Sequence, residues 1–169
     1  SLEKKNFKVI ISRTSDKNVK EDERIAKANK NEADFMVTID RDKTKNDESS
    51  GINAYVNTNK DLKSQYLAAS ILNEVNAIDV EKVDGLLHIG KDGNTGKNYT
   101  VNAKTKMPSC VIIMGSISSK SDNEIIDKKK RECSEAIANG IESAYYKVYS
   151  SGDEVKQENI NALVENDFI

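Results

Sequence analysis

The sequence predicts an α/β fold of three layers, in which a mostly parallel central sheet is flanked by helices. Two observations carry this prediction. The first is an unbroken apolar run from Cys110 to Met114, which is too short for a helix, is rich in β-branched residues and is typical of a strand buried on both faces. The second is that other short apolar runs alternate along the chain with longer segments of helical periodicity.

The first part of the chain predicts two strands separated by a helix. Phe7 to Ile11 is short, apolar and β-branched, so it is interpreted as a strand that follows the last turn of a helix. Asn18 is expected to cap a helix from Val19 to Asn31, with Glu21 completing a capping box. The apolar run from Phe35 to Ile39 has the length of a second strand.

The middle of the chain predicts one clear strand, one helix and a less regular excursion. Apolar residues alternate from Ile52 to Val56, which is the period of a strand with one better-buried face. Helical spacing of apolar residues follows from about Leu62 to Val80. Leu86 to Ile89 and Tyr99 to Val101 are short strand candidates, and the glycine-rich turn between them indicates either a hairpin or an irregular excursion.

After the predicted strand from Cys110 to Met114, one long amphipathic helix is predicted, with apolar positions from Ile126 to Val148 and an end near Tyr149. We therefore expect an α/β domain over residues 1–150 and a short amphipathic tail over residues 151–169. The tail is expected to dock on the domain or to lead toward a neighbouring module.

Length and composition describe one ordinary domain. A chain of 169 residues buries roughly 70% of its unfolded surface, which suffices for a core without disulfides. The 26 basic and 28 acidic residues nearly cancel, so a nucleic-acid-binding field is not expected. No apolar stretch approaches the roughly 20 residues of a membrane span. Cys110 and Cys133 lack metal or redox spacing and are expected to pack as small apolar side chains.

Familiar catalytic motifs do not fit. Ligands of open α/β sheets bind beyond the carboxyl ends of the strands, but Ile113 to Ser116 holds no acid, base or metal ligand there, and Ser116 lies outside a nucleophile elbow. The turn from Gly90 to Asn98 has the wrong spacing for a phosphate loop. Lys45 occupies the glycine position of a calcium loop, and His88 has no metal partner at ligand spacing.

The order of segments resembles a known family, the zinc-dependent N-acetylmuramoyl-L-alanine amidases. The resemblance covers nearly the whole chain. It is carried by FKVIISRTSDKNV, ERIAKAN and ADFMVTI, then by SSGINAYV, by NYTVNAKTKMPSCVIIMGSISSKSD and by EAIANGIESAYY. It implies the fold of these peptidoglycan-cleaving enzymes, and it implies that the chain starts at the end of the family's first helix and lacks the usual first strand and helix.

The resemblance also implies which positions would carry chemistry. The family's third strand ends in a zinc-binding histidine, and the matching residue here is Asp40. Its last strand carries a catalytic glutamate, and the matching residue is Ile113, two positions before Gly115. The two other family zinc ligands belong to the first strand and helix. Isoleucine cannot move a proton, so both positions are interpreted as vestigial and no metal is expected.

Two hypotheses follow. The first is a degenerate, catalytically inactive amidase-like domain that acts as a binding, structural or partner-interaction module of the bacterial cell envelope or the extracellular space. Its partners would be peptidoglycan fragments or a cell-envelope protein. The second is an active zinc amidase, with Asp40 as a substitute ligand and the missing strand and ligands supplied by removed sequence or by another chain. A third option is an α/β binding domain whose likeness to amidases is incidental.

If the groove survives without chemistry, its expected walls gather at the strand ends. They are Arg13, Asp40, Arg41, Asp42, Gly115 and Ser116. An equally favoured interpretation is that Arg13 and Asp16 only fix the turn after the first strand. Without the first strand an edge or apolar face of the sheet would be exposed, and the tail from Asp153 or a partner protein is expected to cover it.

Overall fold

The computed structural model describes residues 1–43, 45, 51–59, 61–78, 86–91 and 97–164. A 3-10 turn at Leu2–Lys5 precedes the regular elements, and a π-helical turn at Tyr146–Ser150 extends the longest helix. In chain order the regular elements are α1 (Glu21–Lys30), β1 (Met36–Asp42), β2 (Ile52–Val56), α2 (Leu62–Asn76), β3 (Leu86–Ile89), α3 (Thr100–Lys104), β4 (Ser109–Ser116), α4 (Lys120–Tyr145) and α5 (Gln157–Val164).

The four described strands form one sheet in the order β1-β4-β2-β3. β1 pairs with β4 in parallel and β2 pairs with β3 in parallel, whereas β2 and β4 are antiparallel. One face of the sheet packs against α2 and α4, and the other packs against α1 and α3. The predicted three-layer α/β fold with a mostly parallel sheet is therefore confirmed.

β4 is the centre of the core, as its sequence predicts. Every residue from Ser109 to Ser116 is buried, because strands lie on both sides of β4 and helices cover both of its faces. Side chains alternate between the two faces. Cys110, Ile112 and Met114 join the cluster with α2 and α4, while Val111 and Ile113 join the smaller cluster with α1 and α3.

The predicted strand from Phe7 to Ile11 is wrong: these residues are described, and they form no strand. Phe7 packs edge-on against Tyr145 of α4 at 5.2 Å between ring centroids, and the Ile11 carbonyl accepts from Lys27 of α1 at 2.8 Å. The segment thus runs from one face of the sheet to the other. Strand propensity needs a neighbouring edge to form a ladder, and within the described residues β1 pairs with β4 alone.

α1 starts later than predicted because its cap is different. The residue before it is Lys20, whose side chain makes no capping hydrogen bond, so the predicted cap by Asn18 is wrong. Glu21 does not complete a capping box. Its Oε1 instead accepts the backbone amide of Val101 at 3.3 Å, which ties the start of α1 to α3.

The predicted hairpin after β2 is also wrong. β3 forms at Leu86–Ile89 but pairs with β2, and Tyr99 to Val101 leads into α3 instead of forming a strand. The cause is the buried Asn102, whose Nδ2 donates to the Tyr55 carbonyl at 2.9 Å and whose Oδ1 accepts from Ser109 at 3.1 Å. Satisfying a buried amide outweighs the strand propensity of its neighbours.

The helices of the second half follow their predicted periodicity. α2 ends at Asn76, and its predicted end at Val80 lies outside the described residues. α4 and its π-helical turn end at Ser150, close to the predicted position. Within the described ranges, no helix has the length and apolar character needed to cross a bilayer.

The tail packs on the domain, on the side of the sheet away from β1. Ile160 and Val164 of α5 cluster with Ala69 of α2 and with Leu87 of β3. The expectation that the tail covers the outer edge of β1 is therefore wrong for the described residues, and the alternative of a covering partner protein stays a prediction. Ile39, on that edge strand, remains 57% exposed.

Candidate functional site

The two positions singled out by the sequence lie side by side. Asp40 of β1 pairs in register with Ile113 of β4, so their side chains project from the same face of the sheet, toward α1 and α3. Ile113 is 7% exposed and packs in the apolar cluster with Ile25, Val101 and Val111. Asp40 is exposed, and its Oδ1 accepts the backbone amide of Arg41 at 2.8 Å.

Asp40 borders a cleft of about 420 Å³. One wall is the start of α1, with Lys20, Glu21 and Arg24, and the opposite wall is the face of β1 with Thr38 and Asp40. The remaining lining residues, in the α1 approach, the two neighbouring strands and the region of α3, are Asn18, Val19, Met36, Tyr99, Val101 and Val111. A cleft with an apolar floor and a few charged groups is typical of small-molecule sites.

Arg41 does not line this cleft. Its guanidinium turns toward β4, where Nε donates to the Met114 carbonyl at 3.0 Å and a terminal nitrogen donates to the Ser116 carbonyl at 2.9 Å. The register of β1 against β4 shifts between Asp40 and Asp42, which interrupts the backbone ladder at this point. Arg41 therefore replaces ladder hydrogen bonds and holds the end of β1 on β4.

Replacing Arg41 by methionine is expected to lower the free energy of unfolding by about 2 kcal/mol, because two charge-assisted hydrogen bonds to half-buried carbonyls are lost. Urea denaturation measures this loss. Arg131→Met is the matched control, because Arg131 is 87% exposed and pairs with Glu135 one turn away, where solvent screening leaves little stability to lose. Equal losses in the two variants would contradict a role for Arg41 in holding β1.

Gly115 and Ser116 lie beneath the start of α4. Gly115 has φ +67°, and a Cβ added there would lie 2.9 Å from the Asp122 carboxyl group. The Ser116 amide donates to Asp122 Oδ2 at 2.7 Å, and the Ser116 side chain is fully buried. This turn is built to start α4, where Ser119 Oγ accepts the amide of Asp122 at 3.2 Å.

The other two predicted groove residues are exposed. Arg13 lies in the irregular segment before α1. Asp42 ends β1, its Oδ1 accepts the amide of Lys43 at 2.7 Å, and its carbonyl accepts from Ile117 at 2.9 Å. Of the six predicted groove residues, Asp40 borders the cleft, whereas Arg41, Asp42, Gly115 and Ser116 gather around the ends of β1 and β4.

The described residues do not fit a hydrolytic zinc site. Such a site needs about three protein ligands with an open position, and among the described residues no three His, Cys, Asp or Glu side chains cluster to hold a metal. Beside Asp40 the register places Ile113, which has no donor atom. The other carboxylate lining the cleft, Glu21, is tied to the amide of Val101.

The histidine and the cysteines have structural surroundings. His88 Nε2 bonds Asn53 Oδ1 at 2.9 Å, and the imidazole stacks on Tyr55 at 4.7 Å. Burial lowers the pKa of His88, which favours the neutral ring. Cys110 and Cys133 are free and buried, and burial raises the pKa of both thiols, as expected for packing residues.

Of the residues that line the cleft, sequence reasoning assigned Asp40 to the site and missed the others, among them Lys20, Arg24 and Tyr99. Lys20 and Arg24 come from the approach to α1 and its first turns, and Tyr99 precedes α3. No motif joins these positions, because they meet only through the packing of α1 against α3 over the sheet. The sequence does show charged residues clustered at the start of a predicted helix, but such a cluster usually marks a face exposed to solvent.

Comparison with known proteins agrees with this architecture. A family model described as N-acetylmuramoyl-L-alanine amidase matches residues 1–143. A search of curated proteins gives no match. Several solved structures share the fold, and the three described below are less than 25% identical to this chain, which shows the fold alone.

The N-acetylmuramoyl-L-alanine amidase from Clostridium difficile 630 is 23% identical, with a TM-score of 0.71 over 85% of this chain and 74% of that one. AmiC2 of Nostoc punctiforme is 24% identical, with a TM-score of 0.70 over 84% and 74%. The CwlD amidase from Clostridioides difficile, solved in complex with the GerS lipoprotein, is 18% identical, with a TM-score of 0.67 over 85% and 78%. Since the family model spans most of its length, the chain belongs to the N-acetylmuramoyl-L-alanine amidase family.

Proposed function

We propose that this chain is a catalytically inactive member of the amidase family, retained as a binding module of the bacterial cell envelope. The observation that carries the proposal is the pair formed by Asp40 and Ile113, adjacent in register on β1 and β4. The family resemblance assigns a zinc-binding histidine and a catalytic glutamate to these positions. Isoleucine can neither accept a proton nor direct a water molecule.

The surroundings of Ile113 support the loss of a catalytic base. Its side chain is nearly buried among apolar side chains of α1, α3 and β4, a setting that suits isoleucine and penalises a charged group. Among the residues lining the cleft, the carboxylates are Asp40 and Glu21. Glu21 is engaged by the Val101 amide, which favours a structural role for it over that of a substitute base.

A binding role is supported by the cleft itself. Its volume of about 420 Å³ lies within the range of small-ligand sites, and it needs no metal to present charged groups over an apolar floor. The family's description names the bond between N-acetylmuramoyl groups and L-alanine, which places its chemistry in the cell wall. One solved neighbour is in complex with a lipoprotein, so a cell-envelope protein is a second class of partner for this chain.

The test is to incubate the purified protein with peptidoglycan, with and without added Zn²⁺, and to measure newly released α-amino groups, bound zinc and co-sedimentation. AmiC2 of Nostoc punctiforme, a named amidase of the same fold, serves as the positive control. We expect no release above buffer, less than stoichiometric zinc, and co-sedimentation with the wall. Release together with one zinc per chain would establish the alternative, a zinc amidase with Asp40 among its ligands.

A further inference from the structure

We infer that the cleft beside Asp40 binds a peptide through its free N-terminal ammonium group, so that the protein recognises the product of amidase cleavage and not its substrate. This inference rests on the proposed function. It extends that proposal by naming the ligand class, a short zwitterionic peptide that begins with a small apolar residue. The argument comes from the charges on the two walls and from the floor between them.

Asp40 supplies the group that would receive an ammonium ion. Its carboxylate is exposed at the end of the cleft wall formed by β1. Oδ1 accepts the amide of Arg41, which fixes the orientation of the carboxylate. A carboxylate has about four acceptor positions, so this one hydrogen bond leaves capacity for a ligand. An ammonium group offers three donors and a full charge.

The opposite wall supplies cations for the other end of the ligand. Lys20 and Arg24 line the cleft from the side of α1. Arg24 Nε donates to the Val19 carbonyl at 3.0 Å, which anchors the guanidinium while its terminal nitrogens form the fork that suits a carboxylate. With Asp40 and Glu21, the four charged lining residues sum to zero, which favours a zwitterion over a polyanion.

The floor of the cleft between the two walls is apolar. Met36, Val101 and Val111 line it, and Ile113 lies beside Asp40 in the adjacent strand. A methyl side chain such as that of alanine suits this surface. Isoleucine next to Asp40 adds apolar surface to this end of the cleft and no charge of its own.

The reaction of the family changes the charge of the L-alanine nitrogen, so an ammonium-binding site can distinguish the product from the substrate. In intact peptidoglycan the L-alanine nitrogen is an uncharged amide with a single N–H donor. Hydrolysis adds water across this bond, leaving a carboxylate on the muramic acid and an amine on L-alanine. An α-amino group has a pKa of about 7.7–8.0, so it is mostly protonated at neutral pH. Asp40 can pair with the ammonium of the product, and the substrate amide carries no such charge.

The test uses one matched pair of probes, the dipeptide L-Ala-L-Glu and its N-acetylated form, titrated into the protein at pH 7 and followed by NMR. We expect the free amine to bind at least tenfold more tightly, and we expect this preference to fall when the pH is raised to about 9.5, where the amine is deprotonated. Asp40→Asn should remove the preference. Asp42→Asn is the control, because Asp42 is exposed on the same strand and does not line the cleft.

Equal affinities, preference for the acetylated form, or no binding of either probe would overturn the inference. Thermal melts of both Asn variants verify that each is folded. The peptidoglycan release assay separates this failure from failure of the proposed function. Released amines would refute catalytic inactivity whatever the dipeptides do. No release together with no dipeptide preference would refute the ammonium site alone.

Discussion

Replacing Gly140 by alanine is expected to destabilise the protein by about 3 kcal/mol, although the same change in an exposed helix stabilises by about 1 kcal/mol. The reason is the contact between α4 and α2. A Cβ added at Gly140 would lie 2.5 Å from Ile71 Cα, 2.7 Å from the Ile71 nitrogen and 2.7 Å from the Ser70 carbonyl oxygen. All three are backbone atoms of α2, so no side-chain rotation relieves the overlap and the two helices must separate.

Urea denaturation monitored by circular dichroism measures this change. Gly152→Ala is the matched control, because no atom of the described residues lies within 4 Å of the added Cβ there, and its φ of +72° penalises alanine by about 1 kcal/mol. A Gly140→Ala variant as stable as the wild type would show that α2 and α4 do not approach this closely. Helix propensity alone would make alanine stabilising at position 140, so a measured destabilisation can be assigned to the contact between α4 and α2.

The elements that could be predicted from sequence are those whose burial against neighbouring strands and helices appears as a pattern of apolar residues. β4 is an apolar run because it is buried on both faces, and the periodicity of α4 reflects one face packed on the core. Phe7 to Ile11 has the composition of a strand, but composition does not provide a paired edge. α3 has little helical signal of its own and is held by the hydrogen bonds of the buried Asn102.

In the candidate site, too, some features could be predicted from the sequence and others could not. The resemblance to a family singles out Asp40 and Ile113 on two separate strands, and the register of β1 against β4 adds that they lie side by side. The direction of a side chain does not follow from such an alignment: Arg41, expected in the groove, turns to the carbonyls of β4. Lys20 and Arg24 line the same cleft as Asp40 because α1 packs over the sheet, so no spacing in the sequence could reveal them.

Replacing Ile113 by glutamate is expected to lower the free energy of unfolding at pH 7 by about 3 kcal/mol, which is the range for burying an imperfectly paired carboxylate. The side chain is 7% exposed among apolar residues, and Asp40 stands beside it in register. Both burial and the like charge raise the pKa of the new carboxyl group above its ordinary value of about 4.3.

The raised pKa of the new carboxyl group determines how the stability of the Ile113→Glu variant depends on pH. A carboxyl whose pKa is higher in the folded state destabilises the protein as the pH rises from about 4.3 through the raised value, and the loss disappears when the group is protonated. Near pH 4 the Ile113→Glu variant should therefore approach the stability of Ile113→Gln, its neutral control of equal length. A penalty of the same size at pH 4 and pH 7 would instead indicate a steric cause.

A double-mutant cycle with Asp40→Asn isolates the charge contribution. If Asp40 repels the new carboxylate, Asp40→Asn should recover at least about 0.5 kcal/mol of stability in the Ile113→Glu background and much less in the wild type. Additive effects would mean that the two side chains do not share a face. Coupling would show that charges at these two positions interact across the pairing of β1 with β4.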